Sequence, residues 1–298
     1  MTMTEPATSI PLIIATLASL AATGMAVQRV RKPADGTKPL WPIQSLVSGV
    51  TALCLGAFVY RVSVVHQAWQ PVQAHVDGLL LIGLLLAVSI LYIQARPKLF
   101  GLTLFALPLL AIILLWGVCA SLWTYRAFNL DSFAPAWTVF HLSATYLGLL
   151  GCGLGAAAGA MYLFVQGRLK NKSGLGQVSP MASLETLETL IVRSATLGFV
   201  LLTLSLVSGM VMVTQSEQAS TLGKAWWFSP KVLLAASAWV VYAILINVRS
   251  FSTVRGRRAA WLAITGLILV LATYGAVEAL DRNQQGESPK ASHVQEAD

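Results

Sequence analysis

The residues of this chain with the most chemistry in them are one histidine and one aromatic-basic cluster. His141 lies near one end of a long apolar run, and Trp226, Trp227, Phe228, Ser229, Pro230 and Lys231 follow after the next such run. An imidazole at membrane depth is costly unless it has a partner, so it requires a reason. Neutral imidazole ligates haem iron, and indole faces stack on a flat porphyrin. Together the two features outline a site for a planar, metal-containing ligand. The candidate is haem, b-type and held non-covalently, with His141 as the iron ligand.

Other residues gather on the same side. His66 and His75 flank Trp69 between two apolar runs, and Trp123 and Trp137 sit at the ends of two others. Lys224, Lys231 or Arg61 could pair with haem propionates, and His66 or His75 could supply a second axial ligand. Simpler readings stand beside these. An interfacial tryptophan is ordinarily an anchor, and a lone histidine in a span can serve only a helix-to-helix hydrogen bond. Asp77 and Glu278 fall near outer helix ends, where water is expected to reach them. His293 lies in the polar tail, where no role is expected.

The elements that carry these residues follow from composition. The chain has 298 residues, 56% of them hydrophobic and 11% charged. Its mean hydropathy is +0.71. That composition requires lipid rather than a water-facing surface. A crossing helix needs about 20 apolar residues. Eight runs qualify, roughly 9–27, 43–65, 76–94, 99–123, 137–165, 195–214, 232–248 and 260–279. No alternating pattern competes, so a β-barrel is not expected. The expected fold is all-α, a polytopic membrane protein of about eight transmembrane helices spanning 1–280, with 281–298 a disordered polar tail. The first run is read as a span rather than a cleaved signal, because its basic cluster Arg29, Arg31 and Lys32 follows it.

The net charge of +8 reflects orientation, not nucleic-acid binding. Of the 20 basic residues, 14 fall in 28–42, 95–98, 166–194 and 249–259, and six fall in the alternate segments. By the positive-inside rule both termini face outward. Cys54, Cys119 and Cys152 lie inside apolar runs, with no CxxC or CxxCH spacing, and are read as small hydrophobes. No P-loop, GxSxG or HExxH pattern appears, and no enzymatic activity is expected. Gly151, Gly155 and Gly159 recur at four-residue spacing; the favoured reading is tight helix packing, the alternative a groove for a flat ligand. Pro108 is expected to kink the fourth run. Ser183, followed by Glu185 and Glu188, reads as the capped start of a helix lying at the inner interface.

Four stretches resemble one known family. Trp137, His141 and Tyr146 match a W-x-x-x-H-x-x-x-x-Y span that continues to Tyr162, Leu163, Gln166, Leu169 and Lys170. Ser183-Leu184-Glu185-Thr186-Leu187-Glu188 matches an S-L-E-x-L-E entry to the next span. Gly198, Phe199, Leu202, Thr203, Leu204, Ser208 and Gly209 match a G-F-x-x-L-T-L segment with a later glycine. Trp226-Trp227-Phe228-Ser229-Pro230-Lys231, with Trp239 and Tyr242, is similar to W-x-W-D-P-K followed by W-x-x-Y. In these the chain resembles the cytochrome c assembly membrane proteins of the CcsA, CcmC and HemX type, over roughly 130–280.

The resemblance implies haem handling at the outer face of a bacterial inner membrane. The implied partners are other cytochrome c assembly proteins and apocytochrome c, beside the lipid bilayer. His141 then corresponds to the external histidine, and Trp226, Trp227, Phe228, Pro230 and Lys231 to the tryptophan-rich segment. Ser229 replaces that segment's acid and Val232 the following Glu, Asn247 stands near the position of an inner histidine, and a second external histidine beyond the last run is absent. This pattern is closest to the shorter HemX and YpjD-like branch. Two further readings remain: a HemX-like membrane regulator or scaffold without haem transport, contacting a partner through 166–194 and 249–259, and a small-molecule permease, for which an internal repeat would be expected.

Overall fold

A computed structural model describes residues 5–31, 41–65, 75–123, 135–170, 182–215, 230–247 and 256–273. Every one of the eight apolar runs is helical over its described part. The helices are α1 (Glu5–Arg31), α2 (Trp41–Tyr60), α3 (His75–Gln94), α4 (Thr103–Trp123), α5 (Pro135–Lys170), α6 (Leu184–Gln215), α7 (Pro230–Asn247) and α8 (257–273). A π-helical turn, Arg61–Val65, ends α2, and a 3-10 segment, Pro97–Leu102, leads into α4. No strand occurs among the described residues.

Six of these helices, α1 to α6, are long and apolar enough to cross a membrane, while the apolar part of α7, Val232–Asn247, is shorter. Large side chains such as Leu17, Leu55, Ile112, Val200, Val207 and Ile268 are exposed on the outside of the bundle. On a water-soluble protein such surface would be a liability; against acyl chains it is the stable arrangement. The molecule is an all-α, multi-pass membrane protein.

The helices form two groups. In the first, α1 packs on α2 and α4, and α3 on α2 and α4. In the second, α5 packs along α6, and α6 also meets α7. The groups meet directly, α5 on α3 and α4, and α8 adds to the joint: Leu267 and Leu271 meet Ile82 and Leu86 of α3, Leu109 of α4 and Leu149 of α5 around a small apolar gap. Glycine lets the second group close. A Cβ at Gly151 would stand 3.2 Å from the backbone of Gly198 and Ser194, and one at Gly159 would stand 2.8 Å from the carbonyl oxygen of Ala260 in α8. The glycine stripe is therefore a packing seam, not a ligand groove.

One expectation is corrected here. The segment from Ser183 is not a separate interfacial helix: α6 runs unbroken from Leu184 to Gln215. No proline interrupts it and its one early charge cluster is tolerated beyond the hydrocarbon. Its 32 residues extend about 48 Å, well past a core of about 30 Å. Ser183 does cap it, accepting a hydrogen bond from the Thr186 amide at 3.2 Å. Helix α4 contains Pro108 within its length.

Candidate functional site

His141 sits in the second turn of α5, half-buried against α6. Its Nδ1 lies 2.8 Å from the backbone carbonyl oxygen of Ser205 and 3.2 Å from Ser208 Oγ. A carbonyl oxygen only accepts, so Nδ1 carries the proton and donates it. The neutral ring is thereby fixed as the tautomer whose Nε2 holds a lone pair. No hydrogen-bond partner for Nε2 occurs among the described residues.

The local sequence of α6 builds this seat. Ser205 and Ser208 are both buried. Ser208 Oγ donates back along its own helix, to the carbonyls of Leu204 at 2.8 Å and Ser205 at 2.9 Å. Gly209, one turn beyond Ser205, makes room for the ring: a Cβ there would stand 3.0 Å from His141 Cε1. One turn along α5, Thr145 Oγ1 donates to the His141 carbonyl at 2.7 Å and lies 2.5 Å from Ser205 Oγ. A polar stripe thus binds α5 to α6 where both would otherwise be apolar.

A second polar link extends the seat to α7. Trp239 Nε1 donates to Thr203 Oγ1 at 2.9 Å, and the Trp239 ring packs on Phe199 at 5.2 Å between centroids. Tyr242, nearly one turn later, lies against Cys152 of α5, at the level of Gly198. Helix α7 therefore runs antiparallel to α6, and Pro230, its first residue, falls at the His141 end of the bundle. Trp226, Trp227, Phe228, Lys224 and His66 lie outside the described residues, as do the side chains of Pro230, Lys231 and His75.

The other sequence-derived residues divide. His75 opens α3. A Cβ at Gly78, three residues on, would overlap the Tyr146 hydroxyl of α5, and α3 and α5 run parallel, so the backbone of His75 shares an end with His141. Arg61 does not stand open for a propionate: it forms a buried ion pair with Asp77, joining the π-turn after α2 to the start of α3. Asp77 is 0% exposed, so the expectation that water reaches it is also overturned. Trp137 is 39% exposed and edge-on to Phe140, facing outward as an anchor would.

Sequence reasoning missed the seat itself. Ser205, Ser208 and Thr145 were signals in plain view, since a hydroxyl inside an apolar run needs a partner, but their partners depend on the α5–α6 register. The Arg61–Asp77 pair joins ends of adjacent helices, and the two charges balance one another at a depth where neither is tolerated alone.

The family model described as "Cytochrome C assembly protein" matches residues 72–281, more than two thirds of the chain. The chain is 34% identical over 167 residues to "Cytochrome c biogenesis protein CcsA" of Prochlorococcus marinus (strain MIT 9215), covering 49% of this chain and 52% of that protein. It is 30% identical over 166 residues to the protein of the same description from Synechococcus sp. (strain RCC307), with the same coverage, 49% and 52%. The chain thus spans about half the length of the curated relatives it matches. No solved structure matches.

Proposed function

Since the chain belongs to the cytochrome C assembly protein family, we propose that it binds and handles haem during the assembly of c-type cytochromes. The observation that carries this reading is the seat of His141. A ring whose Nδ1–H is tied to the Ser205 carbonyl offers Nε2 as a neutral ligand. Such a bond both orients the ring and raises its basicity. The donor set fits a haem iron, which takes imidazole nitrogen as an axial ligand.

In this reading His141 holds the iron of a non-covalent, b-type haem, and bound haem supplies the prosthetic group for attachment to apocytochrome c. His75 or His66 would supply a second imidazole to the iron. Trp226, Trp227 and Phe228 would give the porphyrin aromatic surface, Pro230 starts α7 directly after them, and Lys231, with Lys224, would neutralise the propionates. Arg61 is assigned instead to holding α2 and α3 together through Asp77. The protein acts without catalysing a reaction of its own. It sits in a bacterial inner membrane with both termini on the periplasmic side, where the aromatic segment and His141 meet apocytochrome c and other assembly proteins.

The test is complementation. In a strain lacking this protein, the wild-type chain restores haem-stained c-type cytochromes, and His141→Ala at equal membrane abundance does not. Equal restoration by both would remove His141 from the function and favour a scaffold that holds no haem.

A further inference from the structure

At the end of the bundle away from His141, a cleft of about 390 Å³ opens between α3, the 3-10 segment, α5 and α6. Val88, Tyr92, Leu99, Leu102, Leu154 and Leu190 are among its walls. The hydroxyl of Ser89, which also lines it, is already donated to the Leu85 carbonyl at 2.8 Å. The interior therefore presents hydrocarbon. Its volume is more than ten times the roughly 30 Å³ share of a water molecule, and a cavity lined this way does not hold ordered water.

The mouth has the opposite character. The Arg96 guanidinium lies over the Tyr92 ring, 5.2 Å from its centroid, and Arg96 Nη2 donates to the Tyr92 hydroxyl oxygen at 3.2 Å. Both side chains are exposed. The contact uses one of the five N–H groups of the guanidinium and leaves the tyrosine proton directed elsewhere. Main-chain bonds fix this corner: the Arg96 amide donates to the Ile93 carbonyl and the Leu99 amide to the Arg96 carbonyl, each at 2.9 Å. A held cation and a hydroxyl donor thus stand beside an apolar slot.

We propose that this cleft is a binding site for one anionic phospholipid. An acyl chain fills the slot along Val88, Leu154 and Leu190, and the phosphate accepts hydrogen bonds from Arg96 and Tyr92. Basic corners between transmembrane helices select anionic headgroups in this way. The site stands apart from the His141 seat and does not depend on haem.

The experiment is native mass spectrometry of the purified protein, followed by exchange into nanodiscs of mixed phosphatidylglycerol and phosphatidylcholine. Wild type is expected to retain one phospholipid and to favour phosphatidylglycerol. Arg96→Gln, at an exposed position, is expected to lower that preference roughly fivefold. Leu154→Trp, or Leu190→Trp should the first not fold, fills the slot and abolishes retention. The proposal is overturned by equal retention in wild type and the slot-filling variant, or by an unchanged preference in Arg96→Gln. It is equally overturned by displacement with inorganic phosphate alone, or by recovery of a porphyrin or quinone in place of phospholipid. The haem spectrum of Arg96→Gln should match wild type, which separates this site from the proposed function.

Discussion

At the scale of single residues, His141 is distinguished less by its depth than by what holds it. The bond from Nδ1 to the Ser205 carbonyl selects a tautomer, and a backbone acceptor cannot be removed by any side-chain change at position 205. The sensitive position is Gly209, whose missing side chain admits the ring. Gly209→Ala should push the imidazole off its seat and weaken haem binding by about 10–100-fold, the usual cost of losing the bond that orients a metal-ligating histidine, with helix content unchanged. Haem titration followed by absorbance reads this directly. Ser208→Ala should do far less, because the longer 3.2 Å contact is the minor one. In the sequence, His141 was legible as a costly residue. Ser205 and Gly209 were not legible as parts of its seat, because 64 positions separate His141 from Ser205 and only the packed register brings them together.

At the scale of elements, apolar length and glycine spacing carried most of the architecture. The eight runs became eight helices, and Gly151 and Gly155 met α6 as a close-packing stripe should. The ends of elements were less legible. Charged residues beyond the hydrocarbon let α6 extend as one helix through Glu185, Glu188 and Arg193, where hydropathy alone placed a boundary. The joint between α2 and α3 was likewise hidden, since Arg61 read as a propionate partner and Asp77 as a residue within reach of water. Because both are buried, Asp77→Asn removes the carboxylate charge from a buried pair and should destabilise the fold by about 3–5 kcal/mol. Thermal unfolding in detergent tests this, and the double variant Arg61→Leu/Asp77→Leu should recover much of the loss. A single variant as stable as wild type would show that the pair does not hold the joint.

At the scale of the whole molecule, charge asymmetry and the His141 site make one joint claim. If 28–42, 95–98, 166–194 and 249–259 face inward, the His141 end faces outward with the start of α7. Single cysteines placed at Lys172 and Lys290 in a cysteine-free background should report this: an impermeant maleimide added to intact spheroplasts should label the second and spare the first. The reverse pattern would put His141 on the wrong side for delivery to apocytochrome c. The measurement that bears most directly on the account is the absorbance spectrum of wild type and His141→Ala, each purified in mild detergent after expression with haem supplied, with a pyridine haemochrome assay on both. Haem binding through His141 predicts a Soret band and stoichiometric b-type haem in wild type, lost in His141→Ala. Haem retained equally by the two proteins, or held by neither, would contradict it.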